Sequence, residues 1–273
     1  MSKALFSLVA ATLLVAGCRD DGPTRPRDVT PPAAPRAVRS VTGDGEVLLT
    51  WLANTENDVA GYRVYEAPCA SGSSCPYDRV GSTTGTQFVV HDLANGVTRY
   101  FAIAAYDDAG NESALSYDEV FDTPRPEGTG LMLDNFATTP ATSGYDFSAF
   151  VVRSFDNTQT DIYFGSRNGV FLMIAPFEDT EIQDAGYASS LDAVDFAPAT
   201  GWSPSGTAEL IVGHCYVVWM SQENRYAKFR VTDLTPSRVT VDWAYQTDTG
   251  NRELKAQPTT RPARVRRPAV WGA

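Results

Sequence analysis

The stretch 91-HDLANGVTRYFAIAAYDDAGNESALS-116 decides the fold of the first half of the chain. Its centre, 99–107, is rich in aromatic and small apolar residues, and Asp107-Asp108-Ala109-Gly110-Asn111 closes it. A run of this length bounded by Asp, Gly and Asn reads as a strand entering a tight turn. Working outward from it, short alternating segments separated by turn residues lie near 36–42, 46–53, 60–67, 78–83, 87–92 and 116–122. Seven strands in about 95 residues, with no helical period, predict a two-sheet sandwich over 31–125. Trp51, at the end of 47-VLLTW-51, suits its core. In 57-NDVAGYRVYEA-67, Tyr62, Val64 and Glu66 share one face, and Arg63 and Tyr65 the other.

The Pro-rich entry, Trp51, 58-DVAGYRVY-65 and 93-LANGVTRYFAIAAYDDAGNESALS-116 together resemble a fibronectin type III domain. The resemblance implies that Tyr100, seven residues after Leu93, is a tyrosine-corner residue whose hydroxyl bonds upstream backbone. It also implies a spacer or binding module. Asp107, Asp108, Asn111 and Glu112, like Glu56-Asn57-Asp58, are the residue types of a calcium loop. They are read here as turn residues that satisfy local backbone geometry.

The N-terminus fixes the compartment. Lys3 followed by the apolar run 4–17 has the form of an export signal, 1–17. At about 14 residues the run is short of the roughly 20 that span a bilayer. Val15-Ala16-Gly17-Cys18 resembles the lipobox of bacterial lipoproteins, which implies lipidation at Cys18 and a membrane anchor. Arg19 after the cysteine favours the outer membrane over the inner in that resemblance. Residues 18–30, rich in Pro and charge, read as a disordered tether. Export permits disulfides, so Cys69 and Cys75 in 68-PCASGSSCP-76 are expected to bridge. Cys215 is expected to be a buried free thiol.

Beyond 126–130, read as a linker, strand signals resume over 131–256 in 148-SAFVVRSF-155, 161-DIYFG-165, 169-GVFLMIAPF-177, 208-AELIVGHCYVVWM-220, 225-RYAKFRVTDL-234 and 238-RVTVDWAYQ-246. The expected fold class is therefore all-β: a seven-strand sandwich followed by a second antiparallel β-rich domain. Residues 184–196 read as a short helix or a loop. Hairpins at 221-SQEN-224 and 235-TPSR-238 predict a three-strand meander over 209–246. Alternation assigns Cys215, Val217 and Trp219 to a core with Ala227, Phe229, Val231, Val239, Val241, Trp243 and Tyr245. It leaves His214, Tyr216, Met220, Lys228, Arg230 and Asp242 on a face open to solvent or ligand.

Residues 160-TDIYFGSRNGVFLM-173, 214-HCYVVWMSQENRYAKFRV-231 and 241-VDWAYQTDTGNREL-254 resemble the HmuY-like domain of bacterial surface lipoproteins, through Asp161-Ile162, Tyr226-Ala227-Lys228 and Tyr245-Gln246-Thr247-Asp248. The resemblance implies a β-rich fold and haem as ligand. Haem iron takes His, Met or Cys ligands. The chain has two histidines, and His91 lies in the first domain. A site in the second domain therefore needs His214 with Met132, Met173 or Met220. Glycan or protein held by exposed aromatics is the alternative, and a glycan-active hydrolase or accessory module a third.

No nucleophile elbow, zinc-protease motif, P-loop or dinucleotide loop occurs; 201-GWSPSG-206 has neither the Gly spacing nor a base. The many acids look scattered over loops, so no catalytic residue and no metal site are assigned. A net charge of −11 argues against nucleic acid as partner. The tail 257–273, with Arg261, Arg264, Arg266 and Arg267, reads as disordered and basic.

Overall fold

A computed structural model describes residues 27–70, 75–117 and 120–254. Cys18, the export signal, most of the tether and the basic tail lie outside these residues. No helix among the described residues is long and apolar enough to cross a membrane. The described chain is all-β, with two single-turn 3-10 segments at Pro140–Thr142 and Leu191–Ala193.

The first domain has seven strands: β1 (Arg36–Thr42), β2 (Val47–Leu52), β3 (Val59–Ala67), β4 (Asp78–Thr83), β5 (Gln87–Val90), β6 (Arg99–Asp107) and β7 (Val120–Asp122). They form a three-stranded sheet, β1-β2-β5, facing a four-stranded sheet, β4-β3-β6-β7. Alternation places Val38, Val47, Leu49, Trp51, Tyr62, Val64, Phe101, Ile103 and Ala105 in one core between them. Trp51 meets Tyr62 edge to face, ring centroids 5.3 Å apart. Cys69 and Cys75 form the expected disulfide. The turn after β6 is held by its own backbone and by the Asp107 carboxylate, which accepts from the Asn111 backbone N–H and side-chain amide.

Tyr100 does not form the expected tyrosine corner. Phe101 and Ile103 point into the core, so Tyr100 points the other way and packs on Phe121, centroids 5.8 Å apart. Among the described residues its hydroxyl has no hydrogen-bond partner. Arg99 takes the inward position and pairs with Glu66 at 3.3 Å.

The segment read as a linker is structural. Asp122, Thr123 and Arg125 are buried. The Gly96 N–H donates to Pro124 O, the Arg125 N–H to Gly43 O and the Tyr245 N–H to Pro126 O, which pins the segment to both domains. The fully buried Arg125 guanidinium reaches Glu127 at 3.2 Å and Asp192 at 3.4 Å. At Glu127 the chain is already in β8 (Glu127–Asp134), the edge strand paired with the last strand of the second domain. Its two glycines have structural roles. A Cβ at Gly128 would sit 2.7 Å from the Trp243 indole nitrogen, and Gly130 takes φ +68° beside a shift in register.

The second domain continues with β9 (Gly144–Asp146), β10 (Val151–Arg153), β11 (Ile162–Arg167), β12 (Val170–Ile174), β13 (Thr180–Tyr187), β14 (Thr207–Glu209), β15 (His214–Met220), β16 (Arg225–Leu234) and β17 (Arg238–Gln246). Two five-stranded sheets result, β10-β9-β11-β12-β14 and β13-β15-β16-β17-β8, with a core that spans both. The 209–246 segment contains the expected meander β15-β16-β17. Part of the segment read as helix or loop, 184–187, belongs to β13.

The register of that meander reverses one predicted face. Tyr216 lies opposite Phe229 and Val218 opposite Ala227. Tyr216, Val218 and Met220 therefore enter the core with Phe229, Val231, Val241 and Trp243. Cys215, Val217 and Trp219 lie on the other face, shared with Tyr226, Lys228 and Arg230. That face is also covered. Val194, Ala197, Trp202 and Leu254 pack over Val217, Trp219 and Tyr226.

Candidate functional site

The six residues expected to share an open face do not converge; Asp242 lies by the edge strand, where its Oδ1 accepts from the Gly130 N–H at 3.0 Å. His214 sits at one end of β15, its Nδ1 3.0 Å from Asp184. Tyr216 is fully buried, stacked on Phe229 at 4.9 Å; its hydroxyl donates to Glu209 O at 2.7 Å and accepts from the Ile211 N–H at 2.9 Å. Lys228 is fully buried on the opposite face, its Nζ donating to Val194 O at 3.1 Å with Asp192 at 3.7 Å. Burial, and then the charge of Arg125, pull its ammonium down to about 7. Arg230 donates to Ala188 O at 2.9 Å. Cys215 is buried and free, as expected.

The structure also brings no methionine beside His214. Met220 is six residues along the same strand, about 20 Å away at the usual rise per residue. Met173 is fully buried in the core, and Met132 is exposed on the edge strand β8, its sulfur 3.8 Å from Arg238.

Met220, at the far end of β15, does reach a cleft. Three connections close around it: 147–161 between β9 and β11, which includes β10, 175–179 before β13, and the hairpin 221–224 after β15. The hairpin is tied to the second loop by the Ser221 N–H, which donates to Asp179 O at 2.7 Å. The cleft measures about 200 Å³ and is lined by Ser148, Gln159, Asp161, Asp179, Gln222 and Glu223, with Phe177 at its rim. Phe177 also borders a second cleft of about 400 Å³, whose lining includes Trp202, Ser203 and Ser205. Phe177 is 41% exposed, which a core aromatic would not be. Trp202 packs against Trp219 at a tilt of 33°, centroids 5.9 Å apart. Two adjoining clefts thus share one aromatic edge.

The electrostatics of the first cleft are acidic. Burial pushes the Asp161 carboxyl up to about 7; the Phe147 N–H donating to its Oδ2 at 2.7 Å opposes this, and the charges of Asp146, Glu223 and Asp179 add to it. Glu223 accepts from the Tyr245 hydroxyl at 3.1 Å and lies 3.5 Å from Arg225. Burial pushes Tyr245 up to about 12. Carboxylates, side-chain amides and hydroxyls beside an exposed ring suit a ligand with many hydroxyl groups and apolar faces.

Sequence reasoning missed this site. Asp161 entered it only through the HmuY-like resemblance, and 201-GWSPSG-206 only as a rejected nucleophile motif. The available signal was a charge at 161 placed between the buried Thr160 and Ile162.

No protein-family model matches the chain. It is similar to an amylopullulanase of Thermoanaerobacterium saccharolyticum, 35% identical over 102 residues, covering 37% of this chain and 7% of the relative. It is also similar to exoglucanase B of Cellulomonas fimi, 25% identical over 254 residues, covering 89% of this chain and 22% of the relative. The chain thus spans less than a quarter of either relative's length. Among solved structures, an Fn3-like protein from Clostridium thermocellum matches at 24% identity, TM-score 0.29, over 36% of this chain and 98% of that one. The first domain has a fibronectin type III-like fold. The order β1-β2-β5 against β4-β3-β6-β7 is the feature that carries it.

Proposed function

We propose that this is a non-enzymatic, lipid-anchored envelope protein whose fibronectin type III-like domain presents a β-sandwich that binds a carbohydrate chain. One observation carries the reading: two polar clefts share the exposed Phe177, and Trp202 lines the second. A groove of this form can seat successive sugar rings, apolar faces on the aromatics and hydroxyls on the amides and carboxylates. The relatives named above, an amylopullulanase and an exoglucanase, support glycan as the ligand class. The lipobox-like Cys18 supports an outer-membrane anchor.

Electrophoresis of the protein through gels containing soluble polysaccharides tests the groove. Retardation by at least one glycan is expected. Phe177→Ala and Trp202→Ala should each abolish it while the circular dichroism spectrum is unchanged. Unaltered retardation in both variants overturns the site. For the anchor, Cys18→Ala should leave the precursor uncleaved or move the protein out of the membrane fraction. A variant that is still processed and lipidated overturns it.

A further inference from the structure

We infer that the first domain is part of the scaffold of the first cleft: through the loop 247–251 it holds the hairpin 221–224, which brings Gln222 and Glu223 to the cleft lining. That the cleft takes a ligand rests on the carbohydrate reading, to which this adds what positions two of its polar groups.

The contact between the domains comes first. The turn 94–97 of the first domain meets the loop that follows β17. A Cβ at Gly96 would lie 2.6 Å from Thr247 Oγ1, closer than van der Waals contact allows, and Gly96 takes φ +77°. Glycine is what lets the two segments approach there. Beside it, the Asn251 side-chain amide donates to Thr123 Oγ1 at 3.5 Å, and Thr123 is buried. The Gly96 N–H donates to Pro124 O at 2.8 Å. The buried Arg125 guanidinium donates to Thr42 O at 3.4 Å while it pairs with Glu127 and Asp192. Domains that swivel are joined by exposed linkers crossed by few contacts. This joint is buried and hydrogen-bonded to both sides.

The loop passes the contact on to the cleft. Gln246, buried at the end of β17, accepts from the Asp248 N–H at 3.0 Å and donates to Glu253 O at 3.0 Å, which fixes the shape of the loop. The Gly250 N–H then donates to Asn224 O at 2.7 Å, so the loop touches the first domain at Thr247 and the hairpin at Gly250. Tyr245 makes a second route. Its N–H donates to Pro126 O at 2.9 Å and its hydroxyl to Glu223 at 3.1 Å. On its other side the hairpin is tied to Asp179 O by the Ser221 N–H. A hairpin tip has little apolar surface to bury and opens locally unless it is tied down. Binding groups on a loop need such support to keep their geometry.

The test is hydrogen exchange of the full chain, in detergent, read by mass spectrometry in Gly96→Ala. The added methyl meets Thr247 and the Asp248 N–H, and Gly96 lines neither cleft. Amides of 221–224 and Gly250 should exchange about fivefold faster or more, as the loss of one hydrogen bond provides. Those of β6 and of the hairpin 235–238, at the other end of the same sheet, should not change. Among the described residues Thr247 Oγ1 is buried without a hydrogen-bond partner, so Thr247→Ala removes the clash and no bond. Gly96→Ala/Thr247→Ala should therefore restore the parent rate at 221–224. Retardation by polysaccharide should weaken in Gly96→Ala and return in the double variant. Unchanged exchange at 221–224, or a rise shared with β6 and 235–238, overturns the inference and leaves the carbohydrate reading standing. A double variant that does not recover also overturns it, because the effect then does not pass through Thr247. If exchange responds as expected and no polysaccharide retards the parent protein, the inference stands and the carbohydrate reading falls.

Discussion

In the first domain β1 and β2 have a wetter side and a dry side; in the second, β15 has two dry sides, as only β6 of the first domain has at its centre. β2 alternates buried and half-buried residues along nearly its whole length, and β1 does so over its second half. In β15, Cys215, Tyr216, Val217 and Val218 are all buried in succession. One face packs into the sandwich core, and the other lies under the 188–202 segment and Leu254. Period-2 reasoning identifies a face only when the other face is different. With both covered, the pattern has no preferred phase, and a one-residue error inverts every assignment.

Tyr216 is the residue at which this contrast is easiest to break. Expected on an open face, it is instead a fully buried ring stacked on Phe229 with its hydroxyl doubly bonded. Tyr216→Ala should cost about 3–5 kcal/mol, the range for truncating a buried aromatic. Urea denaturation measures it. A loss of about 0.5 kcal/mol or less, as for a surface position, would mean that the register described here is wrong.

Strand positions were legible throughout the first domain and in β16 and β17, because Gly, Asn, Asp and Pro punctuate them. The elements missed were β8, β9 and β13. β8 carries Gly128 and Gly130 in a stretch whose composition is that of a linker; only the approach of Trp243 shows why glycine is required at 128. β9 is three residues long, too short for a period to appear. β13 carries Asp184-Ala185-Gly186 just before its end, where the register slips against β15. The candidate cleft was hidden for a different reason. Asp161, Asp179 and Glu223 are far apart in sequence and meet only because three loops close at one end of the sandwich. Scattered acids in a sequence look like solvation until the topology gathers them.

Two ionisable groups of the second domain, the buried Lys228 and the half-buried Asp161, sharpen the contrast through pH. Unfolded, a lysine titrates near about 10.4 and an aspartate near about 3.9. Lys228 is held down to about 7, so between 7 and about 10 the unfolded chain binds more protons and stability rises with pH from this group. Asp161 is pushed up to about 7, so between about 4 and 7 the folded chain binds more protons and stability falls as pH rises. Together they contribute a minimum near neutrality. Thermal unfolding from mildly acid to alkaline pH should show Asp161→Asn removing a falling limb, and Lys228→Met removing a rising one. If either variant leaves its limb unchanged relative to the parent protein, the corresponding group is not titrating as its burial requires.

The smallest expected effect returns to the first domain, to β6, which is buried on both faces over 101–105 and where one residue was assigned the wrong side. Tyr100 was expected to bond backbone, and its ring instead lies outside the core against Phe121. Removing only the oxygen separates the two arrangements. A hydroxyl that bonds buried backbone contributes about 1 kcal/mol, and its loss leaves a partner unsatisfied. A hydroxyl on the outer face with no protein partner contributes close to nothing. Tyr100→Phe should therefore change stability by less than about 0.5 kcal/mol, the range of a surface change. Arg99→Ala, which exposes Glu66 at the inward position, should cost more than Tyr100→Phe. The reverse order would restore Tyr100 as the residue that pins this end of β6, and would move Arg99 to the periphery.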